Sequence, residues 1–460
     1  MHKNSIVFMM ALFAAFSCQR INPELEYALR SAGENRPDLE AILEHYRVQD
    51  PVPEKLAAAV FLITNMPWHY SYANDSIYLY YRIASEVLSD NNLSPELQRD
   101  SLLNVSSRQF SQLPYETIPD NRVVNKEILI KDIDISYNQW KKSPWAAQLT
   151  FDEYLEWLLP YKATEFQEID DWRDTLSSHF GDGLRHPVKN DVEYNTTMGV
   201  ADMIRNEVLD KVNRYGLYTQ SGLPLLNAYL LPRQTFGNIP DYTLLAVLTF
   251  RSMGIPAIID ETPVGARYEA ATKWYVIMSD RGEELTSEWD LATQIGWSFF
   301  PYERGPKVFR NTFAVDSRRL EYIKNTKYIY PFDLTVKDVT DRYFLSSDIS
   351  ISIGKHNRNK LMDKYVYIAS AIRTGQGHSS VISGPEPDGW KIVDFTKLRQ
   401  GKAVFKNMGR EVMYSVLGYD GQGLVPVTEP FLLRKDGTLE YISSDTIDSP
   451  YLNKWRNNPI

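Results

Sequence analysis

Cysteine is almost missing from this chain of 460 residues, which has one. That residue is Cys18, so no intramolecular disulfide is possible and no thiol follows it for nucleophilic chemistry. Long apolar runs are missing as well. Residues 6–16 (IVFMMALFAAF) carry no charge, but the stretch falls short of the roughly 20 residues that cross a bilayer as a helix. Positive charge is outnumbered, with 50 Lys and Arg against 59 Asp and Glu and a net charge of −9. That balance argues against broad binding to phosphate backbones, which needs clustered cations, so no nucleic-acid partner is expected. Histidine is scarce at seven, and none lies between His186 and His356, which limits the general bases on offer. No repeat or low-complexity tract is evident. What remains is ordinary for a globular chain: 43% hydrophobic, 24% charged, with 10 Trp, 29 Tyr and 19 Phe. Its stability must come from apolar burial, and its length fits about three domains.

His2 and Lys3 supply a basic start, residues 6–16 fit the apolar part of a secretory signal, and small Ala15 and Ser17 precede Cys18. The segment resembles the lipobox of bacterial lipoproteins. The resemblance implies a signal peptide over residues 1–18, lipidation of Cys18, and an exported protein anchored to a membrane. Its place would be the periplasmic or cell-surface side of the outer membrane. Several acyl chains anchor stably, at about 0.8 kcal/mol per buried CH₂.

Residues 19–186 read as a helical N-terminal domain. Leu25, Leu29, Leu39, Ile42, Leu43 and Tyr46 recur at helical spacing. Pro53 opens a helix through residue 65, Met66-Pro67 stops it, and residues 151–159 (FDEYLEWLL) form another. Residues 187–325 mix signals. A helix after Pro240 runs to Met253 and Gly254 takes its C′ position. Strands follow at 256–260, 274–278 and 284–289, with a turn at Asp280-Arg281-Gly282. From residue 326 to 460, short apolar runs alternate with turns. Ile349, Ile351 and Ile353 alternate at period two, and Asp436-Gly437 marks a hairpin. The expected architecture is multidomain α+β. A helical domain comes first, then an α+β core with a helix packed on a small antiparallel sheet, then a C-terminal β-sandwich.

The core segment carries Gly237-Asn238-Ile239-Pro240-Asp241 at a helix start, then Gly254-Ile255-Pro256, then Thr272-Lys273-Trp274. It resembles the transglutaminase-like superfamily, related to papain-like cysteine peptidases. The match looks closest to lipoproteins of Bacteroidetes type, and extends over residues 68–72 (WHYSY) and 307–313 (KVFRNTF). The family places a cysteine at the helix start, a histidine two residues before a strand tryptophan, and an acid on the next strand. Those places fall on Ile239, on Thr272, and on Glu288 or Asp290. Ile239 has no ionisable atom and Thr272 is no base at neutral pH, so the thiol mechanism is excluded and no catalytic residue is assigned. The resemblance thus implies an inactive relative of an enzyme, with Trp274 buried beneath the former active site.

Other chemistry is thinly supported. Asp241 suits the charge of a helix start. His69, among aromatics, is the best stand-in base for a hydrolase or amidase with a relocated nucleophile. Asp260 and Glu261 are adjacent acids, but strand neighbours point to opposite faces. Glu288, Asp290 and Asp316 lack nearby His or Cys ligands, so no metal or other cofactor is expected. Trp274, Trp289, Trp297 and Tyr302 would serve as ligand-stacking aromatics. The resulting expectation is a binding or scaffold protein for peptide or glycan at the cell envelope. The alternatives are the relocated hydrolase and a purely structural envelope protein.

Overall fold

Asn22 opens the first helix: its side chain accepts from Glu24 N at 3.0 Å and Pro23 follows at N1. The computed structural model describes residues 22–73, 75–109, 116–184, 223–237, 239–264, 272–286, 304–371 and 390–442, with 197, 199–201 and 204. Cys18 and the residues before it, read above as a signal peptide, lie outside these.

Helices α1 (Pro23–Ser31), α2 (Arg36–Glu44) and α3 (Pro53–Asn65) come first. Strand β1 (Tyr70–Tyr72), helices α4 (Ser76–Ser89) and α5 (Pro95–Gln109), and strand β2 (Thr117–Pro119) follow. Then come α6 (Lys126–Lys142), α7 (Phe151–Trp157) and α8 (Trp172–Leu184). The N-terminal part is therefore not all helix, because β1 and β2 pair antiparallel within it. A capping box between Thr150 and Glu153 starts α7.

Helix α9 (Ile239–Ser252) leads into β3 (Ala257–Thr262), β4 (Thr272–Met278) and β5 (Glu284–Thr286). Gly254 ends α9 with φ +79°, the left-handed value expected there. β6 (Phe309–Asn311), α10 (Ser317–Asn325) and β7 (Val336–Asp338) complete this part. The five strands form one antiparallel sheet in the order β5-β4-β3-β6-β7. Side chains alternate across it. Ala257, Ile259, Tyr275 and Ile277 share a core with α9, α4 and α8. Ile258, Trp274, Val276 and Met278 share another with α1, α2 and α3, where the predicted Leu25, Leu39, Ile42 and Tyr46 are all buried.

The remaining strands are β8 (Ser346–Ser352), β9 (Tyr365–Ala371), β10 (Trp390–Lys397), β11 (Lys402–Gly409) and β12 (Val412–Tyr419). Three short ones follow, β13 (Leu424–Pro426), β14 (Phe431–Leu433) and β15 (Leu439–Tyr441), and the one-turn helix α11 (Lys355–Arg358) lies between β8 and β9. β8 and β11 pair with each other, and the rest form a second antiparallel sheet. Ile349, Ile351 and Phe405 of the first meet Val366, Ile368, Tyr414 and Val416 of the second in one apolar layer.

The chain is thus mixed α+β with several antiparallel sheets, as expected, but its packing does not divide at the expected borders. The N-terminal helices bury their apolar faces on both sides of the five-stranded sheet, so residues 19–186 and the sheet share cores. At the other border, β7 lies past residue 325 yet pairs with β6. Conversely, α10 lies before that border, and its Tyr322 packs with Tyr365, Tyr367 and Phe395 of the C-terminal sheet. Ion pairs join the two parts: buried Lys307 pairs with Asp338 and donates to Lys406 O at 2.6 Å, while the exposed Arg318 reaches the buried Asp394 at 2.9 Å.

Candidate functional site

The connection between α7 and α8 is held from behind by two buried arginines. Arg173 donates to Asp132 Oδ1 at 2.5 Å, Leu158 O at 2.7 Å and Leu159 O at 3.1 Å. Arg251, from the last turn of α9, donates to Ala257 O at 2.8 Å, Lys162 O at 3.2 Å and Glu156 O at 3.2 Å. A planar guanidinium with five N–H groups suits several carbonyls at once. Burial, with the like charge of Arg173, lowers the pKa of Arg251; the carbonyl bonds offset that strain.

In front of this connection, against β3, β4, β6 and the approach to β7, lies an open cavity of about 250 Å³. Its wall carries His69, Lys162, Glu165, Glu261, Lys273 and Asp333. The imidazole of His69 stacks on Phe313 at 4.1 Å between ring centres. Its Nε2 lies 2.9 Å from Phe313 O and its Nδ1 lies 2.8 Å from Glu165 Oε1. A carbonyl oxygen only accepts, so Nε2 is the donor of the pair with Phe313 O, while Nδ1 is held against the Glu165 carboxylate. Burial raises the pKa of Glu165, but His69 and Lys162 outweigh it and hold this carboxyl below its ordinary value. Both ring nitrogens of His69 are thus held by fixed partners.

The other charges are ordered as well. Lys162 pairs with the fully buried Asp120 at 2.6 Å, which also accepts from Tyr161 Oη and Ser71 Oγ. Glu156 accepts from Phe313 N at 2.7 Å and Ala314 N at 3.2 Å. Burial outweighs these bonds and raises its pKa. Glu261 and Lys273 are cross-strand partners bridged at 2.5 Å. Asp333 stands at the mouth, exposed, and its carboxylate accepts no hydrogen bond among the described residues.

The adjacent acids of β3 do part company. Asp260 turns to the other face, where Arg310 binds it with two bonds of 2.8 Å and Tyr343 Oη donates at 2.6 Å. Arg310 grips Glu284 on β5 in the same two-pronged way, at 2.8 and 2.9 Å. The two acids thus enter separate ion pairs on opposite faces of the strand.

Ile239 opens α9 and Thr272 opens β4. α9 packs on the face of β4 that carries Tyr275 and Ile277. Trp274 is buried as expected, but its Nε1 donates to Tyr343 Oη at 3.1 Å and it lies in the core with the N-terminal helices, away from the cavity wall. It is therefore a packing residue, not a stacking platform. Asp241 sits in the first turn of α9 and accepts from Gln234 Nε2 at 3.2 Å. Glu288, Trp289, Asp290, Trp297 and Tyr302 lie outside the described residues. Of the residues singled out from sequence, His69 and Glu261 reach the cavity. Lys162, Glu165, Lys273 and Asp333 were missed. One signal was available, since segments 68–72 and 307–313 both carry the resemblance and meet at His69 and Phe313.

No Ser or Thr hydroxyl bonds to His69 among the described residues, and Thr312 Oγ1 donates instead to Ala314 O at 2.8 Å. Among the described residues one group of acids and histidine has metal-like spacing, His45, Asp50 and Asp134. The ammonium of Lys55 already lies between its carboxylates, at 2.5 Å from Asp50 and 2.8 Å from Asp134. No protein-family model, curated protein or solved structure matches the chain.

Proposed function

We propose that this chain is an exported, lipid-anchored envelope protein whose transglutaminase-like core binds a ligand without transforming it. The observation that carries this reading is the cavity before the α7–α8 connection. It is open and rich in charge of both signs, and its one histidine spends both nitrogens on fixed partners. The order helix, Gly254, then antiparallel strands supports the transglutaminase-like assignment, and the apolar layer between the two C-terminal sheets supports a β-sandwich there. Lipid attachment at Cys18 rests on the residues before it.

Between peptide and glycan, the charges favour peptide. Carboxylates at Glu165, Glu261 and Asp333 face Lys162 and Lys273 around one space, a complement to a chain bearing amino and carboxylate groups. A neutral sugar would need free aromatic faces, whereas Phe313 is stacked on His69 and Phe166 on Tyr72.

The test is calorimetry of the full mature chain against a panel of short charged peptides and neutral oligosaccharides, with product analysis after incubation. Saturable peptide binding that Asp333→Asn weakens, with the peptide recovered intact, is the expected result. Binding of neutral oligosaccharides alone would overturn the peptide assignment, and turnover would overturn the non-catalytic one.

A further inference from the structure

A second concavity lies far along the chain, where α10 crosses the start of the β10–β11 hairpin. It measures about 240 Å³, and its wall includes Arg318, Lys397, Arg399 and Lys402 against a single acid, Glu321. In a chain of net charge −9, a groove with four cations and one anion is a local reversal of sign.

The hairpin explains how the cations are placed. Gln400 and Gly401 both have positive φ, at 51° and 80°, the signature of a type I′ turn. Arg399 and Lys402 close it with two backbone bonds, N to O at 3.0 Å and 2.9 Å. They are therefore directly opposed across the hairpin. Like charges so opposed repel and destabilise the pair. Both side chains are exposed, and neither makes an ion pair or side-chain hydrogen bond among the described residues. A third cation adds to the crowding: Arg358 of α11 lies over Gly401 so closely that a Cβ there would sit 2.4 Å from its Nη1, and its Nε is buried without a hydrogen bond.

Two of the four groove cations are already neutralised. Arg318 pairs with Asp394 at 2.9 Å and Lys397 with Glu321 at 3.1 Å. The excess charge therefore sits at Arg399 and Lys402. We infer that this groove binds the carboxylate or sulfate group of an acidic saccharide, with Arg399 and Lys402 as its charge-assisted donors. Arginine takes such an oxyanion with two parallel bonds, and lysine adds a point charge. An acidic peptide is disfavoured by the sheet edge. An added strand needs the free backbone groups of β10, but Arg318 Nη1 already donates to Phe395 O at 3.0 Å and Asp394 Oδ1 accepts from Phe395 N at 2.8 Å.

Calorimetry of the full mature chain at low and moderate salt tests this with four probes: a sulfated disaccharide, a galacturonate oligomer, inorganic sulfate and poly-glutamate. At least one saccharide should bind, with an affinity that falls as salt rises. Two charge-assisted bonds are at stake, so Arg399→Glu with Lys402→Glu should weaken it by at least roughly tenfold. Lys435→Glu, in the turn between β14 and β15 at the opposite sheet edge, should leave it unchanged. The double variant alters exposed side chains and should melt within about 2 °C of the parent; should it not, the milder Arg399→Gln with Lys402→Gln takes its place. Failure of both saccharides, undiminished binding by the double variant, equal affinity for inorganic sulfate, or tighter binding of poly-glutamate would each overturn the assignment. The peptide cavity is read separately, since Asp333→Asn should not alter saccharide binding.

Discussion

Glu165 receives Nδ1 of His69 at 2.8 Å across 96 residues of sequence, and with its second oxygen accepts from Tyr70 N at 2.7 Å. One carboxylate thereby ties the cavity wall to β1 and fixes the orientation of the only histidine in that wall among the described residues.

Glu165→Ala should therefore cost more than a surface change. It leaves the imidazole donor and the Tyr70 N–H without a partner, at roughly 2–3 kcal/mol. Glu165→Gln, which keeps an amide oxygen for one of them, should cost less. Denaturant titration of the two variants measures the difference. Alanine as stable as the parent would mean that these bonds are replaced by water at no loss.

Arg310 offers a sharper test, because its partners differ in burial. Asp260 is fully buried, and Glu284 is half-buried and shared with Arg342. Arg310→Met strands the Asp260 charge in the interior, with an expected loss of about 3–5 kcal/mol. Asp260→Asn with Arg310→Met together should recover part of it, since no buried charge is left unpaired. Arg310→Lys should fall between, having no fork to hold two carboxylates. Additive losses in the double variant would show that the two side chains act independently.

Acidity should act through Asp170. Burial and the neighbouring Glu168 carboxylate push its pKa up to about 7, well above the ordinary carboxylate range. The folded protein thus holds this proton more tightly than the unfolded chain does. Stability should fall as pH rises from about 4 to 7, and change little from this group above that. Asp170→Asn, which stays neutral throughout, should flatten that decline in a series of thermal melts. An unchanged slope would remove Asp170 as its source.

Much of the secondary structure was readable from local pattern. Ile349, Ile351 and Ile353 alternate and do lie in or beside β8 with their side chains buried. Gly254 and Gly437 take the left-handed angles that their places after a helix and in a hairpin require. β11 escaped notice because its exposed positions mix Lys402, Val404 and Lys406, which blurs the period of two. The borders were harder, for a physical reason. A strand such as Val336–Asp338 shows its own period but not which sheet it will join. The cavity was harder still. Lys162 and Asp333 come from segments far apart, and no spacing in the sequence announces that they will face one space. His69 drew attention as a possible base, yet the groups that disarm it, Glu165 and Phe313 O, carry no local mark.

The two arginines behind the α7–α8 connection have a consequence for how this molecule can change over generations. Arg173 and Arg251 grip Glu156 O, Leu158 O, Leu159 O and Lys162 O, all of them main-chain atoms. Such bonds are indifferent to which side chains those positions carry. Thr164, on the cavity side of the same loop, is therefore free to be rewritten while the backbone keeps its course. A wall fastened by its carbonyls is one whose chemistry can drift toward a new ligand without first coming undone.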